Sequence, residues 1–255
     1  MLPEAYRLTY EYEKGYWWYQ ARAEILEQIF AKKVSLKEPE ILNLGCGTGL
    51  ISQRFLKFGS LISLDAGADA LGFCAQNHLD FLIQADAVSL PFQDRCFDAC
   101  LCLDVIEHIQ NHERVFAEIQ RVLKPGGFLL ITVPAFQWMW SQMDDFGHLR
   151  RYTRNQLLSL LKQAGLNPVL LSYYNFFLFP LALLQRFAES LSRKQKSLEN
   201  IFPRLPGFLN QLFYLIFKSE KNWLLKFSFP FGLSIISLAV KSEKKDNERK
   251  NEIGD

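Results

Sequence analysis

From residue 40 onward, apolar and polar positions follow two rhythms in turn. Ile41–Leu44, Leu61–Leu64, Phe81–Ile83, Ala99–Leu103 and Phe128–Val133 are short apolar runs, of the length of strands buried on both faces. Between them, Leu50–Phe58, Ala68–Asn77 and His112–Leu123 carry apolar residues at helical spacing. Lys124-Pro125-Gly126-Gly127 is expected to end the last of these in a tight turn, since proline cannot extend a helix and glycine accepts a turn backbone. This alternation predicts an α/β fold: a parallel sheet with helices on both faces. Ahead of it, Trp17–Phe30 has helical spacing at Trp18, Ile25 and Ile29, and an N-terminal helical cap is expected over residues 1–35. Behind it, Thr153–Gly165 reads as a helix N-capped by Thr153 and ended by Gly165, followed by a strand over Pro168–Tyr174.

The stretch Ile41-Leu-Asn-Leu-Gly-Cys-Gly-Thr-Gly49 leads a buried strand into a glycine loop and then a helix. Glycine at 45, 47 and 49 permits positive φ and lets a ligand reach backbone amides with no Cβ in the way. Twenty residues after Gly45 the second strand ends in Asp65, where a carboxylate can accept both hydroxyls of a ribose. A dinucleotide fingerprint would have glycine at position 50, where Leu50 stands, so an NAD(P)-binding oxidoreductase is the disfavoured alternative.

The G-x-G-x-G pattern resembles that of class I S-adenosylmethionine-dependent methyltransferases. Ala85-Asp86-Ala87, the run from Phe97 to Ile109, and Arg121–Ile131 resemble later segments of the type-11 subgroup, so the likeness spans roughly residues 40 to 135. The resemblance implies a Rossmann-like, seven-stranded, mostly parallel sheet closed by an antiparallel last strand, for which Phe231–Val240 is the candidate. It implies S-adenosyl-L-methionine as cofactor. Gly45, Cys46, Gly47 and Gly49 would lie against its methionyl and ribose parts, Asp65 with the adjoining Ala66 at the ribose, and Asp86 and Ala87 at the adenine edge. The Leu103 backbone would lie near the ammonium, with His108 close to the cofactor. Asn43 stands where the family usually has an acid, which weakens that contact and keeps open a catalytically silent cofactor-binding protein. Arg22 is either a partner for the cofactor carboxylate or a surface arginine on the first helix.

Methyl transfer from a sulfonium needs alignment, exclusion of water, and a base only where the acceptor arrives protonated. Ligands of open α/β sheets lie beyond the carboxyl ends of the strands. That places the segment after the fifth strand, Pro134–Thr153, over the methyl group, and its pattern resembles a subgroup related to quinone and other small-molecule methyltransferases. His148 is the candidate base, Asp144 or Asp145 its orienting partner, and the Tyr152 hydroxyl a candidate hydrogen-bond partner of the acceptor, which is read as a small molecule methylated at oxygen or carbon. His148 beside Arg150 and Arg151 equally suits a loop-closing hydrogen bond, and Glu107-His108 a helix cap. No cysteine or histidine group has metal-ligand spacing, so no metal centre is expected.

Composition adds one feature. Net charge is only +2, which argues against a nucleic-acid partner. Eleven of the 22 phenylalanines fall between Phe176 and Phe231. Residues 181–230 carry eight Lys/Arg and three Asp/Glu, while 241–255 carry five of each, leaving −3 on the first 180. A basic, aromatic helical insertion over 176–228 thus interrupts a mildly acidic core, read as 36–175 and 229–240. No run there qualifies as a transmembrane helix; amphipathic helices lying on an anionic membrane or covering an amphipathic acceptor are expected, the alternative being a cap packed on the core or a homodimer contact. Residues 241–255 read as a disordered charged tail. Five cysteines without a pairing pattern, and no signal-peptide apolar run, suggest a cytoplasmic protein, at most at the inner membrane face.

Overall fold

The computed structural model describes residues 3–142, 144–192 and 205–242. Two helices, α1 (Pro3–Glu13) and α2 (Trp17–Lys33), precede β1 (Ile41–Leu44). Then follow α3 (Leu50–Phe55), β2 (Leu61–Asp65), α4 (Ala68–Gln76), β3 (Leu82–Gln84), β4 (Phe97–Leu103), α5 (His112–Val122) and β5 (Leu123–Pro134). The chain continues through α6 (Arg154–Gln163), β6 (Leu166–Tyr174), α7 (Phe179–Ser192), α8 (Gly207–Leu224) and β7 (Ser234–Lys241). The seven strands form one sheet in the order β3-β2-β1-β4-β5-β7-β6. All neighbours are parallel except β7, which runs antiparallel to both β5 and β6. β1 is buried at every position, as an apolar run with helices over both faces requires.

The expected helix cap at Thr153 is a capping box: Thr153 Oγ1 accepts from the Gln156 amide at 3.3 Å while Gln156 Oε1 accepts from the Thr153 amide at 2.8 Å. Three readings change. Lys124–Gly127 does not separate helix from strand but lies inside β5, because Leu123 already pairs with Phe97. The turn survives as a register irregularity in which Gly126 takes φ +75°. Lys241, counted in the charged tail, is instead buried at the end of β7, where its ammonium donates to the Gln120 and Leu123 carbonyls at 2.6 and 2.7 Å. The tail beyond Ser242 lies outside the described residues. α1 is an element that the apolar pattern did not single out.

The insertion contributes α7 and α8, and α8 packs along α2. Trp17 meets Phe213 and Phe217 edge-on at 5.7 and 5.9 Å, and Glu24 receives Tyr214, Lys218 at 2.9 Å and Lys221 at 3.3 Å. At the far end of the packed face Glu220 is fully buried, its carboxylate accepting the amides of Asn175, Phe176 and Phe177 at 2.7, 2.7 and 2.9 Å. Burial nevertheless outweighs those three donors and pushes its carboxyl up to about 7. An acid whose folded value lies above its unfolded one contributes stability that is complete at low pH and is lost as pH rises through about 7. Glu220→Gln, shaped like the neutral acid, is therefore expected to flatten the fall in unfolding free energy between pH 5 and 8. Chemical denaturation across that range is the check; an unchanged slope would remove Glu220 as its source.

Candidate active site

The loop after β1 has the conformation that its glycines allow. Gly45, Gly47 and Gly49 take φ of +69°, +56° and +84°. A Cβ on Gly45 would lie 2.5 Å from Val105 Cγ2, and one on Gly49 2.7 Å from Leu79 Cδ1, so both are also closed sterically. A Cβ on Gly47 would meet nothing within 4 Å, so this glycine faces open space. Cys46 turns inward, its Sγ 3.5 Å from that of Cys74. Asn43 is buried and donates to Ser52 Oγ at 2.7 Å, tying the strand to α3.

Asp65 ends β2 beside this loop. Its two oxygens accept the Gly47 amide at 3.0 Å and the Gly67 amide at 2.9 Å, with the Tyr6 hydroxyl of α1 at 3.5 Å. Ala66 follows, exposed, its carbonyl accepting from Gln84. Beyond β3, Asp86 turns the chain by accepting the Val88 amide at 3.0 Å, and Ala87 is buried beneath. Leu103 closes β4, and Asp104 after it holds φ +58°. Phe136 beyond β5 and Asn175 beyond β6 hold φ of +58° and +56°, so three side-chain-bearing residues are strained along one edge of the sheet.

Arg22 is no surface arginine. Its side chain is only 6% exposed, pairs with Asp104 at 2.7 Å and donates to Thr132 Oγ1 at 3.1 Å, at the ends of β4 and β5. Trp18 lies over its guanidinium at 5.2 Å, and its Nε is buried with no hydrogen-bond partner. The open face of Gly47, the acid at the end of β2 and this unspent buried donor together fit a nucleoside carrying an amino-acid tail.

The segment after β5 folds back onto the loop after β4. The Leu149 amide donates to the Glu107 carbonyl at 2.8 Å, and Arg150 reaches the Gln110 carbonyl at 3.2 Å. Asp144, fully buried, organises the turn: it accepts from the Ser141 amide and hydroxyl at 2.7 Å each, from His148 Nδ1 at 2.7 Å, and from Arg151 Nε at 2.7 Å and an Arg151 terminal nitrogen at 3.0 Å. Burial alone would raise its carboxyl, but the hydrogen bonds from His148 and Arg151 and the guanidinium charge hold it well below the usual range. Asp145 instead bonds the Trp140 indole at 2.8 Å. His148 stands 4.7 Å, ring to ring, from His108, whose Nδ1 is 2.9 Å from the Gly147 carbonyl.

Tyr152 is not brought to this group. It is buried, its hydroxyl 2.6 Å from His112 Nδ1 and 3.4 Å from the Ile106 carbonyl. The residue that sequence reasoning left as a helix cap is Glu107: it is fully buried, neither carboxylate oxygen has a hydrogen-bond partner, and Oε1 lies 4.0 Å from His148 Nε2. Burial, with Asp104 next, pushes its carboxyl up. Around the same edge, Phe136 stacks on Tyr173 and Trp138 at 4.9 and 5.4 Å, and Trp138 meets Phe179 of α7 at 6.3 Å.

A sheet of this order, with a glycine turn after β1 and an acid ending β2, defines the class I S-adenosylmethionine-dependent methyltransferase fold. Residues 42–131, about a third of the chain, match the family described as "Methyltransferase domain", and the methyltransferases that the chain resembles take their methyl group from S-adenosylmethionine. The chain is 30% identical over 151 residues to the biotin biosynthesis bifunctional protein BioHC of Teredinibacter turnerae, covering 51% of this chain and 26% of that protein. It is 35% identical over 109 residues to phthiotriol/phenolphthiotriol dimycocerosates methyltransferase 1 of Mycobacterium ulcerans, covering 40% of each. The chain thus spans well under two thirds of these curated relatives. A solved S-adenosylmethionine-dependent methyltransferase of Thermotoga maritima, described as a possible histamine N-methyltransferase, shares the fold with a TM-score of 0.58 at 18% identity, over 93% of this chain and 97% of that one. These matches set the oxidoreductase alternative aside.

Proposed function

We propose that the chain transfers a methyl group from S-adenosylmethionine to an oxygen or carbon of a small, amphipathic acceptor. The observation that carries this reading is the placement of Asp144, His148 and Glu107 beyond the ends of β4 and β5, on the same sheet edge as the glycine cradle and beside the aromatic wall. S-adenosylmethionine supplies an activated methyl group on a sulfonium that departs neutral. The protein's share is to bind, align and dry the two partners. Arg22 has the free donor to receive the cofactor's carboxylate, Asp65 the acceptor oxygens for its ribose, and Gly45, Gly47 and Gly49 the approachable backbone. Asp86, Ala87, Leu103 and His108 complete the cofactor's side of the cleft. On the acceptor's side, Asp144 fixes the His148 ring, so that His148 acts on the acceptor's hydroxyl. Phe136, Trp138, Tyr173 and Phe179 favour an acceptor with apolar surface, and the Mycobacterium ulcerans relative is itself named for phthiotriol dimycocerosates.

The outer face of α8 supports a place for this acceptor at a membrane. Phe208, Leu212, Leu215 and Trp223 stand 72, 47, 51 and 50% exposed at helical spacing, with Lys226 just beyond. Among the described residues, no helix is long and apolar enough to cross a membrane. Labelled-methyl transfer from S-adenosylmethionine into soluble and lipid extracts tests the whole reading, with label expected in a lipid-extractable product. Cofactor binding without transfer to either extract would instead support the silent binding protein. Flotation with phosphatidylcholine–phosphatidylglycerol vesicles, lost on Leu212→Ser/Leu215→Ser, tests the membrane part; an unmutated chain that stays at the bottom removes it.

A further inference from the structure

Glu107, His108 and His148 each bring a ligand-capable atom to one place, all within 4.8 Å of one another. They come from two loops and lie 1 and 40 residues apart in sequence, which is why no spacing rule marks them. Each histidine has one nitrogen already committed. His148 Nδ1 meets the Asp144 carboxylate at 2.7 Å, and His108 Nδ1 meets the Gly147 carbonyl at 2.9 Å. An imidazole nitrogen beside an oxygen acceptor carries the proton, so the lone pair of the neutral ring resides on Nε2 in both. A carboxylate or carbonyl behind each histidine is the arrangement that orients imidazoles towards a metal.

The second observation is independent of the histidines. Glu107 is fully buried and both of its oxygens lack a hydrogen-bond partner. A buried polar group left unmet costs about 1–3 kcal/mol, and more when charged, so two unmet oxygens on one carboxyl call for a partner. His148 Nε2 stands 4.0 Å from Oε1, too far for a hydrogen bond but a distance that one atom can bridge.

We propose that Glu107, His108 and His148 form a binding site for a divalent transition-metal cation of the Zn2+ kind, with open coordination positions facing the acceptor. Two nitrogens and one carboxylate suit Zn2+ or its first-row neighbours rather than Mg2+ or Ca2+, which take oxygen ligands. Metal–ligand bonds of about 2.1 Å allow two ligand atoms to lie at most about 4.2 Å apart. The Glu107–His148 pair meets that limit, and wider separations within the group close by about half an ångström of side-chain rotation.

The site rests on the methyltransferase reading and deepens it. An acceptor hydroxyl on an open position would lose its proton near neutral pH because the cation stabilises the alkoxide; the proton leaves to water. The oxygen then forms its bond to the methyl carbon as the carbon–sulfur bond breaks and sulfur keeps the electron pair. His148 would serve as a ligand in this scheme, and Asp144 and Gly147 would set the direction of the two rings.

The test uses untagged full-length chain, chelator-treated and titrated with Zn2+ in a calorimeter. One equivalent bound per chain is expected, with affinity reduced at least about tenfold in His108→Ala and in His148→Ala, and about 10–100-fold in Asp144→Asn. Co2+ loading of the unmutated chain gives a readout free of folding effects: visible absorption bands that Zn2+ displaces. No saturable binding and no bands, from a chain that unfolds cooperatively, would overturn the site. Methyl transfer persisting at full rate in metal-free protein would also overturn it and leave His148 as a free base. Binding of S-adenosylmethionine, measured in the same samples, keeps the two claims apart. Zn2+ bound with no cofactor binding sinks the methyltransferase reading and leaves the metal site standing.

Discussion

Asp144→Ala is expected to lower the unfolding free energy by about 3–5 kcal/mol, because it leaves Arg151 charged and unpaired in a buried position. The Arg151 side chain is only 9% exposed, and beyond Asp144 its guanidinium donates to the Ala135 carbonyl at 2.9 Å. The same change releases His148, so turnover should fall by about a hundredfold or more. The stability difference has a pH signature. The Asp144 carboxyl sits below the usual range in the folded chain, so its contribution is present above the unfolded value and is lost as pH falls through the folded one. Urea denaturation of the two proteins should therefore show a gap that is constant near neutrality and narrows below about pH 4. A gap under 1 kcal/mol at pH 7 would mean that the 141–151 turn is held by something other than Asp144.

Asp65→Ala should act on the cofactor and much less on the fold. Its carboxylate spans two backbone amides of neighbouring loops, at 3.0 and 2.9 Å, and lies at an edge where solvent can replace it. Removing the charge-assisted hydrogen bonding to a ribose, about 1.5–3 kcal/mol in total, should weaken S-adenosylmethionine by roughly 10–100-fold, measured by calorimetry. Unchanged affinity would detach Asp65 from the ribose and leave it as a brace between Gly47 and Gly67.

How much of this was legible beforehand differs between the sheet and the site. The strands could be read because a strand covered on both faces has no polar side to confuse the pattern: Ile41–Leu44 was bounded correctly by composition alone. The Lys124–Gly127 turn was misplaced because proline and glycine signal a local bend. They do not signal whether a strand partner, here Phe97, is waiting on the far side of it. α1 escaped because its tyrosines serve individual polar contacts, Tyr6 with Asp65 and Tyr10 with Asn77, and not one apolar stripe. The glycine loop and Asp65 were visible since their spacing is set by a single βα unit. Arg22 had two readings because the direction of its helix over the sheet is a tertiary fact. Glu107 could be read only as a helix cap: what marks it is the absence of hydrogen-bond partners, and a sequence records only residues.

The α2–α8 contact has a consequence for biosynthesis. The backbone amide of Trp17 bonds Asn210, a separation of 193 residues, and Glu24 waits for Lys218 and Lys221. At about 5–20 residues per second, a ribosome that has completed α2 needs roughly 10–40 s more to deliver the helix that covers it. During that interval the Trp17 face of the nascent chain has no companion. The interval is long compared with collapse of a chain this size, so an apolar surface stands open to chaperones or to neighbouring nascent chains. Slow synthesis over residues 34–210 should therefore lower the yield of folded protein more than the same delay placed after Leu224.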